Sequence, residues 1–153
     1  MDELDLVKVA RRVHATSGSD AADRDGPASL FAISTSSEAA LELSLLGRGL
    51  ALEVLERASV PSGAVAIALC AAGWIVRDVG PGDLRPSRHP LRRRVAMTSV
   101  IGGHGEPELV TLIRVAGAPE EVLIGGDGEI PDALWRSWSQ MKHSIYTNGT
   151  KYL

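Results

Sequence analysis

The densest group of chemically capable side chains is the loop RPSRHPLRRR, where Arg85, Arg88, Arg92, Arg93 and Arg94 surround His89 with no acidic residue among them. Guanidinium groups present forked donors that match phosphate and carboxylate oxygens. Such a run could hold a phosphorylated or acidic small molecule, nucleic acid or an acidic protein surface. Outside these five arginines 11 basic residues face 19 acidic ones, a remainder of −8, so charge is segregated along the chain. That segregation also suits a solvated loop paired with the acidic rest of the same molecule. No aromatic residue interleaves the arginines as a single-strand groove requires, so nucleic acid is not the expected partner.

The second candidate is Gly102-Gly103-His104-Gly105, where glycines let backbone amides approach a ligand and His104 could act as base or ligand. The same segment falls where a hairpin loop must lie, and glycine is common in such turns. Gly47-Arg48-Gly49 could be a phosphate-contacting turn, but without a strand before it the expectation is a break in a helix. Gly125-Gly126-Asp127-Gly128 has too few acidic ligands for a calcium loop and reads as a turn. The single cysteine, Cys70, allows no internal disulfide or multi-cysteine metal site. It lies in the apolar run AVAIALCAAG with no charge to favour a thiolate, as a small core residue does. His14, His89, His104 and His143 are scattered, and no Walker loop, dinucleotide fingerprint, nucleophile elbow or HExxH occurs. No cofactor is expected, and an enzyme activity, though possible, has no motif to support it.

The elements that must position these residues centre on Arg92 to Gly126. Three runs rich in Val, Ile, Leu and Thr are separated by Gly- and Pro-containing breaks, the pattern of an antiparallel meander. In the first run Val95, Met97, Ser99 and Ile101 share one face and Ala96, Thr98 and Val100 the other. In the second, Leu109, Thr111, Ile113 and Val115 oppose Val110, Leu112, Arg114 and Ala116. A sheet apolar on both sides needs cover on both, from helices or from a second subunit, which leads to the expectation of a homodimer.

Ahead of the meander, residues 2–14 read as an amphipathic helix and 16–27, TSGSDAADRDGP, as a flexible loop. Leu30 to Ser34 suits a short strand. Thr35 and Glu38 stand in capping-box spacing, predicting a helix with Ala39, Leu43, Leu46, Leu50 and Val54 on one face, interrupted at Gly47-Arg48-Gly49. Ala64 to Ala72 fits two patterns: its alanines favour a helix capped by Gly73, whereas Val65, Ile67 and Leu69 alternate as in a strand. Helix is the expectation there. Trp74 to Val79 reads as a strand, followed by the arginine loop with its two prolines.

After the meander, Pro131 to Met141 reads as a helix with Leu134, Trp138 and Met141 on one face and Trp135 beside them. The two tryptophans could be a ligand platform, but they suit better the anchor that docks a terminal helix on a sheet. SIYT-NG-TKYL, residues 144–153, carries the Asn-Gly turn of a type I′ hairpin. With Trp135, Trp138, Tyr146 and Tyr152, this end of the chain is the expected interface.

Together these readings describe an α+β single domain over residues 1–153. An antiparallel meander of three to five strands is packed by N-terminal helices and a C-terminal helix, with a C-terminal β-hairpin or tail over 142–153. In outline this is similar to small sensor or adaptor modules of the PAS or roadblock kind, with no matching motif. Hydrophobic residues make up 44% of the chain and charged ones 23%, at a net charge of −3, which gives no argument for nucleic acid or membrane. No stretch is long and apolar enough to span a bilayer, and the N-terminus does not read as a signal peptide, so the expected location is the cytoplasm. Arginine supplies 13 of 16 basic residues, consistent with a GC-rich bacterial source. The expected function is a binding or adaptor module for a protein partner. The alternative is an enzyme or sensor for an acidic small molecule, using Arg85 to Arg94 with His104.

Overall fold

The computed structural model describes residues 5–18, 27–36, 38, 40–75, 88, 90, 93–103, 106–115, 119–126 and 128–152. Helix α1, Leu6–Val13, begins where the Asp5 carboxylate accepts from the backbone N–H groups of Val7 and Lys8 at 3.0 and 3.3 Å. That bond satisfies donors no helical carbonyl can reach. Arg11 and Arg12 in its last turn complement the dipole. Its buried stripe is Leu6, Val9, Ala10 and Val13, at helical spacing. One π-type turn, His14–Gly18, prolongs it into the segment expected to be loop.

Strands β1, Ala28–Thr35, and β2, Leu41–Gly49, form an antiparallel hairpin. Here the structure corrects the helix expected after Thr35. The Ser36 hydroxyl accepts from the Glu38 and Ala40 N–H groups, and Ser36 N–H donates to the Ala40 carbonyl at 2.9 Å, closing a turn. Serine side chains compete for backbone groups in either role, so the capping-box spacing did not discriminate. The pairing passes from Leu30↔Gly47 to Phe31↔Leu45, leaving Leu46 as an inserted residue. Strand alternation puts Leu41 and Leu43 on one face and Leu46 on the other, where a second core takes it. Leucines on both faces set Leu43, Leu46 and Leu50 three and four residues apart, and that spacing imitates a helical stripe. Only Ala51–Arg57, α2, is helical in this region, with Val54 and Leu55 buried.

Strand β3, Ala66–Ile75, overturns the second helix expectation, for Ala64 to Ala72. It pairs antiparallel with β1 and with β4, Arg93–Gly102. Its Ala66 and Ala68 face α1, whose own Ala10 is fully buried, so small residues on both sides allow a close approach. Ile67 and Leu69 face the opposite core. Burial on two faces outweighs the helix propensity of alanine. The strand expected at 74–79 is the end of β3 as far as Ile75; residues 76–79 lie outside the described residues.

The meander continues with β5, Glu108–Arg114, and β6, Glu121–Ile124, and the whole sheet has the order β2-β1-β3-β4-β5-β6. The expected face assignment holds. Val100, Val110 and Leu112 join the core under α1, while Ile101 and Leu109 join the core on the other side. That second core is covered by α2 and by α3, Glu129–Tyr152, through Ala133, Leu134 and Trp138. Both faces are thus covered from within the chain, which removes the stated reason for a second subunit over one of them.

The C-terminal hairpin is also corrected: α3 runs through Asn148-Gly149 to Tyr152 as helix. A two-residue turn yields a stable hairpin only with a sheet to lie on, whereas an existing helix gains one backbone bond for each added residue. Continuing through a glycine costs only about 1 kcal/mol.

Candidate functional site

Of the residues expected to bind a ligand, Arg85, Arg92 and His104 lie outside the described residues. Arg88 is exposed. Arg93 and Arg94 open β4, where their backbones pair with Ile75 and Trp74. The arginine loop with His104 as a candidate ligand site thus lies largely outside the described residues. The glycines beside His104 have a structural reason instead: a Cβ on Gly102 would stand 2.4 Å from the Val65 carbonyl oxygen, and Gly103 N–H donates to that oxygen at 3.0 Å. The aromatic pair is divided. Trp138 is buried against the sheet and Trp135 half-buried beside it, with the neighbouring Ser137 hydroxyl donating to the Leu55 carbonyl at 3.1 Å. Tyr146 and Tyr152 fall on α3, and their side chains are outside the described residues.

Sequence reasoning passed over His14. At the end of α1 it is buried with Nδ1 3.3 Å from Thr98 Oγ1, which is 3.8 Å from Cys70 Sγ. Burial lowers the His14 pKa from its ordinary value, the Arg114 charge lowers it further and Glu120 opposes them. Above this cluster Glu120 accepts from Arg11 and Arg114, each at 2.8 Å, tying α1 to β5. The Arg11 hydrogen bond is the main reason the Glu120 carboxyl sits below its usual range. A histidine beside a hydroxyl and a thiol is a catalytic inventory, but Thr98 and Cys70 are as fully enclosed as the core around them. The cluster seats α1. Its histidine was legible only as a buried position, four residues after Ala10 on the apolar stripe; nothing local links residue 14 to residue 98.

A second feature is an open cleft of about 230 Å³ between the end of β2 and α2, lined by Gly47, Arg48, Gly49, Glu53, Val54 and Arg57. Here a strand does precede the Gly-Arg-Gly segment, against expectation. Gly47 and Gly49 lie under Val54, where Cβ atoms would come within 3.5 and 3.3 Å of its methyl groups. Arg48 and Arg57 form no ion pair with any described residue. Among the described residues no three His, Cys, Asp or Glu side chains cluster as a metal site would need, and no helix is long and apolar enough to cross a membrane.

The third feature is the outer edge of β6. Val122, Leu123 and Ile124 are 36%, 47% and 69% exposed. Gly125 N–H bonds the Leu109 carbonyl at 2.7 Å. Antiparallel alternation then directs the backbone groups of Leu123 and Glu121 towards β5 and those of Val122 and Ile124 outward. The opposite edge, β2, mixes exposed Leu45 with exposed Glu42, Ser44 and Arg48. Charges of that kind discourage edge pairing, and β6 has none between Val122 and Ile124. The chain matches no protein-family model, no curated protein and no solved structure.

Proposed function

We propose that this protein is a non-enzymatic cytoplasmic binding module that holds another polypeptide by adding a strand to its sheet at β6. The observation that carries the reading is an edge that no described strand pairs, with outward backbone groups at Val122 and Ile124 and three consecutive exposed apolar side chains. In strand addition, main-chain hydrogen bonds supply affinity and alternating side chains supply selectivity. The sealed His14 cluster supports a binding role over a catalytic one, because no substrate can reach it. The test is proline at Val122, whose N–H points away from β5, so the internal ladder keeps its bonds. Tagged wild-type protein isolated from its native source retains a polypeptide, and Val122→Pro reduces that retention by about tenfold or more. An unchanged set of retained polypeptides overturns the reading.

A second reading, a sensor for a phosphorylated or acidic small molecule, is favoured by Arg48 and Arg57 at the β2–α2 cleft, neither of which pairs with a described acidic residue. Two guanidinium groups beside glycine backbone suit an anion. Titration with inorganic pyrophosphate shifts the NMR signals of Gly47 and Gly49 in the wild type and leaves them unmoved when both arginines become serine. No shift in the wild type excludes this site.

A further inference from the structure

We infer that the strand received by β6 is the β6 of a second copy, in a register centred on Leu123. The inference rests on the reading that β6 is a docking edge. The search also covered the His14–Thr98–Cys70 cluster, which is sealed, and the Arg48–Arg57 cleft, where no observation beyond two surface arginines selects a ligand.

Two copies of β6 paired antiparallel about a two-fold axis normal to the sheet keep their faces in common. Paired residues must then lie on the same side of the pleat, which excludes any register that sets an odd position against an even one. Within Glu121–Ile124 this leaves two registers, centred on Val122 or on Leu123. Centring on Val122 places Glu121 against Leu123. Centring on Leu123 places Val122 against Ile124 of the other copy on the α1 side, and Leu123 against Leu123 on the α3 side. Glu121 then falls opposite Gly125, and no like charges meet.

The hydrogen-bond phase permits this register, as it does the one centred on Val122, so the choice between them rests on keeping Glu121 away from Leu123. Val122 and Ile124 carry the outward donors and acceptors, and this register makes them hydrogen-bonded partners across the axis. The product is one continuous sheet formed from two six-stranded sheets. Four residues bury little area, well under the roughly 1,200 Å² at the low end of standard interfaces, which places the dimer among weak, reversible contacts.

The experiment is sedimentation over rising protein concentration, with oxidative crosslinking. The wild type shifts reversibly from monomer to dimer. Leu123→Lys, which sets two ammonium groups together at the axis, raises the dissociation constant by about tenfold or more. Val122→Pro does the same, with unchanged circular dichroism in both variants. Leu123→Cys becomes an intermolecular disulfide on oxidation, because non-hydrogen-bonded partners stand about 4.5 Å apart at Cα, within disulfide reach. Val122→Cys does not, and the buried Cys70 stays silent. The crosslink reads the register without disturbing the edge, so it decides the matter should the lysine or proline variant misfold. Crosslinking at position 122 but not 123, or a strict monomer at every concentration, overturns the inference. If the monomer still loses a retained polypeptide through Val122→Pro, the docking-edge reading stands and only the identity of the occupant falls. If neither effect is seen, both fall.

Discussion

His14 shows how one buried titratable group couples the N-terminal helix to the sheet. Its folded pKa lies below the ordinary 6.5, so between the two values the unfolded chain binds the proton more readily. The stability it contributes is complete above about pH 6.5 and falls as pH drops through that value towards the folded one. Urea midpoints at about pH 7.5 and pH 5.5 differ in the wild type. His14→Gln, whose amide can still meet Thr98, flattens that difference. Glu120 acts lower on the scale: its stabilisation is present above the ordinary 4.5 and lost as pH falls through and below it. Gly102 is constrained by space and by a φ of +156°. Gly102→Ala therefore costs roughly 2 kcal/mol or more in denaturant unfolding, because the obstructing atoms are backbone. Gly63→Ala, with nothing within 4 Å, changes stability by at most about 0.5 kcal/mol.

Among the elements, legibility followed whether period and burial pointed the same way. Strands β4 and β5 were readable to the face, because Val100 and Ile101 alternate without interruption and pair with Val110 and Leu109. Strand β2 was not, because leucines on both of its faces, Leu43 on one and Leu46 on the other, imitate helical spacing. Strand β3 was hidden by alanines, which signal helix locally and close helix packing only in three dimensions. The end of α3 was misread because Asn148-Gly149 specifies a turn irrespective of what precedes it. A chain ending at Met141 tests that correction: relative to the full chain, its far-ultraviolet spectrum loses helical signal. A loss of strand signal restores the hairpin. The candidate edge at β6 was legible as a strand, but its place at the end of the sheet depends on β2 and β1 lying beyond β3, which the sequence did not show.

At the scale of the whole molecule, one sheet separates two cores that, among the described residues, share no side chain. Leu6 under α1 and Leu134 under α3 are buried on opposite sides. Each replaced by alanine costs about 2 to 5 kcal/mol. The double variant sums to within about 0.5 kcal/mol in urea titrations, since the sheet stands between the two cavities. Both sheet faces are covered by described helices, which is why the functional proposal rests on an edge strand. The placement of Cys70 has a further use. The only thiol in the chain lies on a central strand, 1% exposed, and every copy therefore carries a chemical clock. A disulfide reagent can modify it only after β3 is uncovered, so the rate of labelling under native conditions counts openings of the sheet. Edge pairing at a distant strand leaves that rate to global unfolding alone, and the same assay, run with increasing protein, weighs assembly against opening without any introduced probe.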